Sequence, residues 1–288
     1  MALTRTTSRR LIQRKPRETT LRPVRPNAGL EAEFRRKLTK LVAEMHESVV
    51  YWTTATYRGN EPEVTQLGQD ESPAAALRAI MRKLASRWLR NFEEAAPKLA
   101  QWFATAVKDR SDATLRKILK DGGFSIEWKM TPAMNDAMQA TIGEQVSLIK
   151  SIPSQYFTQI EGMVMRSVTT GRAVGDLAKD LEKAFGVTTR RARFIALDQS
   201  NKASATLTRV RQLESVGADA EAIWVHSAGG KVPRPSHVKA GREKTRYRIS
   251  EGWYDPDEGE KILPGQLINC RCCSRLVIPA LDKMRKAQ

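Results

Sequence analysis

The stretch QLESVGADAEAIWVHSAGG, residues 212–230, changes its periodicity at Gly217. Before the glycine it completes a helical pattern, TTRRARFIALDQSNKASATLTRVRQLESVG, that begins near residue 188. After it, AIWVHSA at 222–228 alternates apolar and polar positions, the two-residue period of a half-buried strand. A glycine just past the last helical residue is a frequent stop, because glycine enters the left-handed region without a Cβ penalty. Gly217 therefore divides the chain into two kinds of structure.

Downstream, Gly229, Gly230, Pro233, Pro235, Gly241, Gly252, Pro256, Gly259, Pro264 and Gly265 mark turns between short strands. The last apolar run, RLVIPAL at 275–281, is predicted to be a terminal strand stopped by Pro279. Upstream, apolar residues recur at helical spacing. The first predicted helix spans 30–57 and buries Leu38, Leu41, Val42, Met45, Val49 and Trp52 on one face. Ser72-Pro73 caps a second helix, to residue 95, that carries Leu77, Ile80, Met81, Leu84, Trp88 and Phe92. Pro97 marks a break before a piece at 98–108, and Ser111 caps another that stops at Gly122-Gly123. FSIEWKM, 124–130, reads as a short strand or an extended connector. Thr131-Pro132 caps a helix to 150, Pro153 starts one to Gly171, and 173–185 is closed by Gly186.

The fold expected is α+β. An α-helical body of seven or eight elements occupies 29–217, a small loop-rich β or α+β module occupies 218–288, and a basic arm occupies 1–28.

At 288 residues the chain can bury an ordinary core without crosslinks. Its 49 Lys and Arg against 32 Asp and Glu leave a formal charge of +17, which favours polyanionic partners. The excess gathers in the arm, where Arg5, Arg9, Arg10, Arg14, Lys15 and Arg17 precede Arg22 and Arg25 and face Glu18 alone. Pro16, Pro23 and Pro26 argue against an amphipathic helix there, so the arm is expected to order on nucleic acid or an acidic protein surface; a solvated tail is the alternative. Arg190, Arg191 and Arg193, at the start of the predicted long helix, oppose its dipole and call for a compensating partner or solvent. No apolar run reaches the roughly 18–20 residues that span a bilayer, and no secretory signal is recognisable, so a membrane role is not expected and synthesis in the cytoplasm is.

All three cysteines fall within LPGQLINCRCC, residues 263–273, too crowded for a framework of spaced disulfides. In extended chain, Cys270 and Cys272 share one face and Cys273 takes the other. With His237 and His226 in the same module they form a candidate structural zinc site, since zinc takes four nitrogen or sulfur ligands in a tetrahedron. Two other readings stay open on the residues alone: buried thiols packed as small hydrophobes, and a nucleophile with His237 as base beside Arg271 and Arg275. A metal-dependent nuclease or toxin-like enzyme built on His237, the Cys270/Cys272 pair and the acids Asp255, Asp257 and Glu258 is the enzymatic rival. The sequence holds no Walker loop, dinucleotide fingerprint or HExxH motif.

Residues 224–272, WVHSAGGKVPRPSHVKAGREKTRYRISEGWYDPDEGEKILPGQLINCRC, resemble the carboxyl-terminal domain of the Mu F-like minor head proteins of tailed phages, the phage head morphogenesis family. The order carries the resemblance: Trp224, then Arg234-Pro235-Ser236-His237, Gly241, Pro264-Gly265 and Asn269-Cys270-Arg271-Cys272. ARFIALDQSNKA, 192–203, is similar to the family's helical segment, so the likeness covers 188–278; Cys273 departs from the two-cysteine pattern. The resemblance implies a non-enzymatic structural protein, a few copies per particle, in the phage head or at its portal vertex after assembly in the host cytoplasm. Implied partners are the portal protein, the major capsid protein or a scaffold, together with double-stranded DNA bound without sequence preference.

Overall fold

A computed structural model of the chain describes residues 18–59, 73–170, 173–230 and 232–278. The arm cations Arg5, Arg9, Arg10, Arg14, Lys15 and Arg17 lie outside the described residues, as do Ser72 and Pro279.

Four long helices build the body: α1 (Ala28–Gly59), α2 (Pro73–Asp121), α3 (Pro132–Thr169) and α4 (Val174–Val216). Asn27 caps α1 by accepting from the Leu30 N–H at 3.0 Å, and Phe34, Leu38, Val42, Met45 and Val49 face inward at three and four residue spacing. Phe34 stacks on Phe103 of α2 with ring centroids 4.2 Å apart. Trp52 corrects the expected stripe: it is exposed and packs edge-on against Tyr51, while Thr53 and Tyr57 continue the buried face.

The seven or eight expected helical elements merge because four predicted breaks lie inside helices. Pro97 and the cap expected at Ser111 are within α2, Pro153 within α3 and Gly186 within α4. An interior proline costs about 3 kcal/mol and an interior glycine about 1. Burial offsets these costs, since a large apolar side chain taken from water contributes about 1.5–3 kcal/mol. Phe92, Ala96 and Phe103 flank Pro97, Ile149, Ile152 and Tyr156 flank Pro153, and Leu181 and Ala184 precede Gly186 in one continuous core. Arg190, Arg191 and Arg193 consequently sit mid-helix rather than at a positive helix end, and Arg191 donates to Ser151 Oγ at 2.9 Å.

Two signals read from sequence match the coordinates. Thr131 Oγ1 accepts from the Met134 N–H at 3.1 Å to start α3, and Gly217, at φ 95°, ends α4. Residues 124–130 form no strand; they are an extended connector with Phe124, Ile126 and Trp128 turned toward the second core. Arg211 of α4 holds this connector, donating to the Lys129 carbonyl at 2.9 Å beneath the Trp128 ring.

The second core belongs to the C-terminal module. Its antiparallel sheet has the order β1-β6-β2-β3, from β1 (Thr19–Thr20), β2 (Glu221–Val225), β3 (Arg246–Arg248) and β6 (Cys273–Ile278). A hairpin of β4 (Trp253–Asp255) and β5 (Glu260–Ile262) and a short helix, α5 (Pro235–Arg242), complete it. Ala222 and Trp224 point inward from β2, with Ala222 opposite Leu276 and Trp224 opposite Ser274.

Residues 18–27 are therefore part of the module rather than of a free arm. Thr19 pairs with Ile278 and Thr20 with Val277, and Leu21 and Val24 are buried. The division at 217 is also softer than expected, because Leu115, Ile118 and Leu119 at the end of α2 share the module's core.

Candidate functional site

Three segments remote in sequence converge beside Trp224. Pro235 begins α5, whose fixed φ suits a first helical turn, and His237 stands two residues later with 3 % of its surface exposed. Ser236 N–H donates to Asp257 Oδ2 at 3.1 Å, which caps the helix from the β4–β5 turn. Gly241 lets α5 lie directly on the strand: a Cβ at that position would stand 2.4 Å from His226 Cβ and 2.9 Å from its nitrogen.

Asp255, fully buried, accepts from Ser236 Oγ at 3.2 Å and from the Asp257 N–H at 3.0 Å. The same carboxylate takes the Nε2–H of His237 at 3.1 Å. That bond selects the tautomer and aims the Nδ1 lone pair at the thiols. His237 Nδ1 is 3.6 Å from Cys270 Sγ and 3.7 Å from Cys272 Sγ. The ligating atoms of His237, Cys270 and Cys272 all lie within 4.8 Å of one another, and all three residues are buried. His226, half-buried at the end of β2, places Nδ1 3.6 Å from Cys272 Sγ on the open side of this trio.

The cysteine pair sits on a turn, not on the closing strand, since β6 begins only at Cys273. Gly265, at φ 84°, shapes that turn against α4, where a Cβ would approach Ala205 Cβ to 2.6 Å. Its N–H donates to Cys270 Sγ at 3.3 Å. Asn269, also at positive φ, donates its N–H to Asp198 Oδ1 of α4 at 2.7 Å, and Asp198 in turn pairs with Lys202. The helical segment and the cysteine turn, far apart in sequence, are thus joined by one hydrogen bond. Cys273 is turned away, as its alternation predicted, with Sγ toward the Arg271 carbonyl.

The thiols titrate as a pair. The hydrogen bond from Cys272, with smaller help from His237 and the Gly265 N–H, lowers Cys270 to about 4 against the opposing effect of burial. That same bond, and burial, push Cys272 up. The cluster therefore favours one thiolate, a soft anionic donor beside the His237 imidazole.

A second polar cluster escaped the sequence reading. His46 of α1 bonds Tyr156 Oη of α3 at 2.8 Å and Glu182 of α4 at 3.1 Å while stacking on Phe185. Burial, and to a lesser degree Glu182, pushes the Tyr156 hydroxyl up. Nothing in the pattern sets His46 apart from its core neighbours Val42, Met45 and Val49.

The fold and site define a class: a four-helix scaffold bearing a small α+β module whose buried histidine and cysteines are oriented by carboxylates. Residues 158–275 match the family described as Phage Mu protein F like protein, the one its ordered motifs resemble. The match begins inside α3, upstream of the 188 expected, and runs into β6. An uncharacterized protein of Haemophilus influenzae is 28% identical over 280 residues, covering 94% of this chain and 58% of the relative. The chain thus spans less than two thirds of that relative's length. No solved structure matches it.

Proposed function

We propose that this chain is a minor head protein of a tailed phage, incorporated in a few copies at the portal or the inner capsid shell during head morphogenesis. The observation that carries this reading is the family match over residues 158–275, which takes in the whole of α4 and the cysteine turn that α4 holds. The helical body presents the docking surface for the portal, capsid or scaffold protein, and the basic arm faces packaged DNA. Arg25, Arg110 and Lys117 line a cleft of about 400 Å³ between the segment before α1 and the end of α2, and they extend that charge onto the body.

Mass spectrometry of purified particles and proheads tests the reading. The chain is expected at a small, fixed ratio to portal protein, and particles that contain portal but lack the chain would overturn it. The engaged acids weigh against a nuclease: Asp255 is committed to His237 and Ser236, Asp257 caps α5, and Glu258 pairs with Arg234. Cleavage of DNA that disappears in His237→Ala would reverse that judgement.

A further inference from the structure

We infer that His237, Cys270, Cys272 and His226 form a structural zinc(II) site that fastens α5 and the cysteine turn to the end of β2.

The distances carry the inference. With Zn–S about 2.3 Å and Zn–N about 2.0–2.1 Å, a tetrahedron has S···N edges of about 3.5–3.6 Å. The observed separations are 3.6 Å for Cys270–His237, 3.7 Å for Cys272–His237 and 3.6 Å for Cys272–His226. The two edges to His237 belong to one trio, since the ligating atoms of His237, Cys270 and Cys272 all lie within 4.8 Å of one another, and His226 adds a fourth donor at the Cys272 corner.

The surroundings match as well. A ligating imidazole commonly donates its other N–H to a carboxylate, which Asp255 provides with no exposure to solvent. Cys270 also accepts a backbone N–H from Gly265, which steadies a sulfur that must stay deprotonated under a metal. Two sulfurs and two nitrogens in tetrahedral array select zinc over the oxygen-seeking divalent cations. A Cys-x-Cys disulfide would be strained, so the pair is better suited to a shared metal than to oxidation. Three of the ligands are buried, and His226, half-buried, takes the fourth position, which makes the site closed and hence structural. The site stands whether or not the chain enters a phage head.

The test uses the full reduced chain with zinc and cobalt(II) as probes. Purified without chelator, the protein should carry one zinc per chain. Cobalt(II) added to metal-free protein should give the intense d–d bands of tetrahedral coordination together with thiolate-to-cobalt charge transfer, competed away by one equivalent of zinc. Cys272→Ser and His237→Ala should lose these bands while far-ultraviolet circular dichroism shows the helical body intact, and Cys273→Ser should keep them. His226→Ala should shift the bands and weaken zinc at least tenfold. The wild-type titration is decisive by itself: no zinc and no tetrahedral cobalt spectrum would overturn the site. Equal loss in Cys273→Ser would overturn the ligand set, and an unchanged spectrum in His226→Ala would remove His226 from it.

Discussion

Arg211 grips Asp112 through both edges of the carboxylate, Nε to Oδ1 at 2.9 Å and Nη2 to Oδ2 at 3.0 Å, with only 3 % of the arginine side chain exposed. The pair locks α4 to α2 at the level where the second core begins. Its Nη1 donates to the Lys129 carbonyl at 2.9 Å and to Glu214 at 2.7 Å, so the guanidinium is fully engaged. Asp112→Ala leaves a buried cation short of its partner and should cost about 3–5 kcal/mol, read as a lower midpoint in urea unfolding. A loss under about 1 kcal/mol would mean that Glu214 and water replace the missing carboxylate.

Gly241→Ala should destabilise the module by about 1–3 kcal/mol, because the new methyl collides with His226 at the α5–β2 contact. Gly143→Ala is the matched control: it lies in α3 with open space around its Cβ position and should stabilise by about 0.5–1 kcal/mol. Thermal melts of the two variants should move in opposite directions.

Asp255→Asn keeps the shape of the side chain but weakens its hold on the His237 Nε2–H. Cobalt(II) affinity should fall about 10–100-fold, while the helical signal is unchanged. Affinity equal to that of the wild type would show that the imidazole is oriented by the Trp224 and Trp253 rings that flank it.

Deleting residues 1–17 removes Arg5, Arg9, Arg10, Arg14, Lys15 and Arg17. If each meets a phosphate, the slope of log affinity for duplex DNA against log salt should become shallower by up to about 5. Fluorescence anisotropy across a salt series measures it, and an unchanged slope would place DNA contact elsewhere on the surface.

Much of the helical body was legible because its signals are local. The stripe of α1, the threonine cap at Thr131 and the stop at Gly217 each act within one or two turns. Pro97, Pro153 and Gly186 misled because their local penalties are outweighed by packing that depends on other helices. β1 was invisible for a related reason: Thr19–Thr20 has no alternation to detect, and only Val277 and Ile278 make it a strand. At the site, the grouping of Cys270, Cys272 and His237 could be read from residue type and order. The carboxylates could not: Asp255 and Asp257 looked like turn residues, and their bonds to His237 and Ser236 exist only after the β4–β5 hairpin folds back on α5.

The pairing of β1 with β6 also sets the order of events in synthesis. A strand near the start of the chain waits for one completed only at Ile278, a contact of very long sequence separation and therefore slow to form. Until β6 emerges, β2 lacks its partner on that side and Leu21 has no Leu276 carbonyl to bind. A nascent or truncated chain thus exposes open strand edges of the kind that invite aggregation. Sheet closure therefore requires residues as far as Ile278, and a chain cut before β6 leaves β1 and β2 without the strand between them.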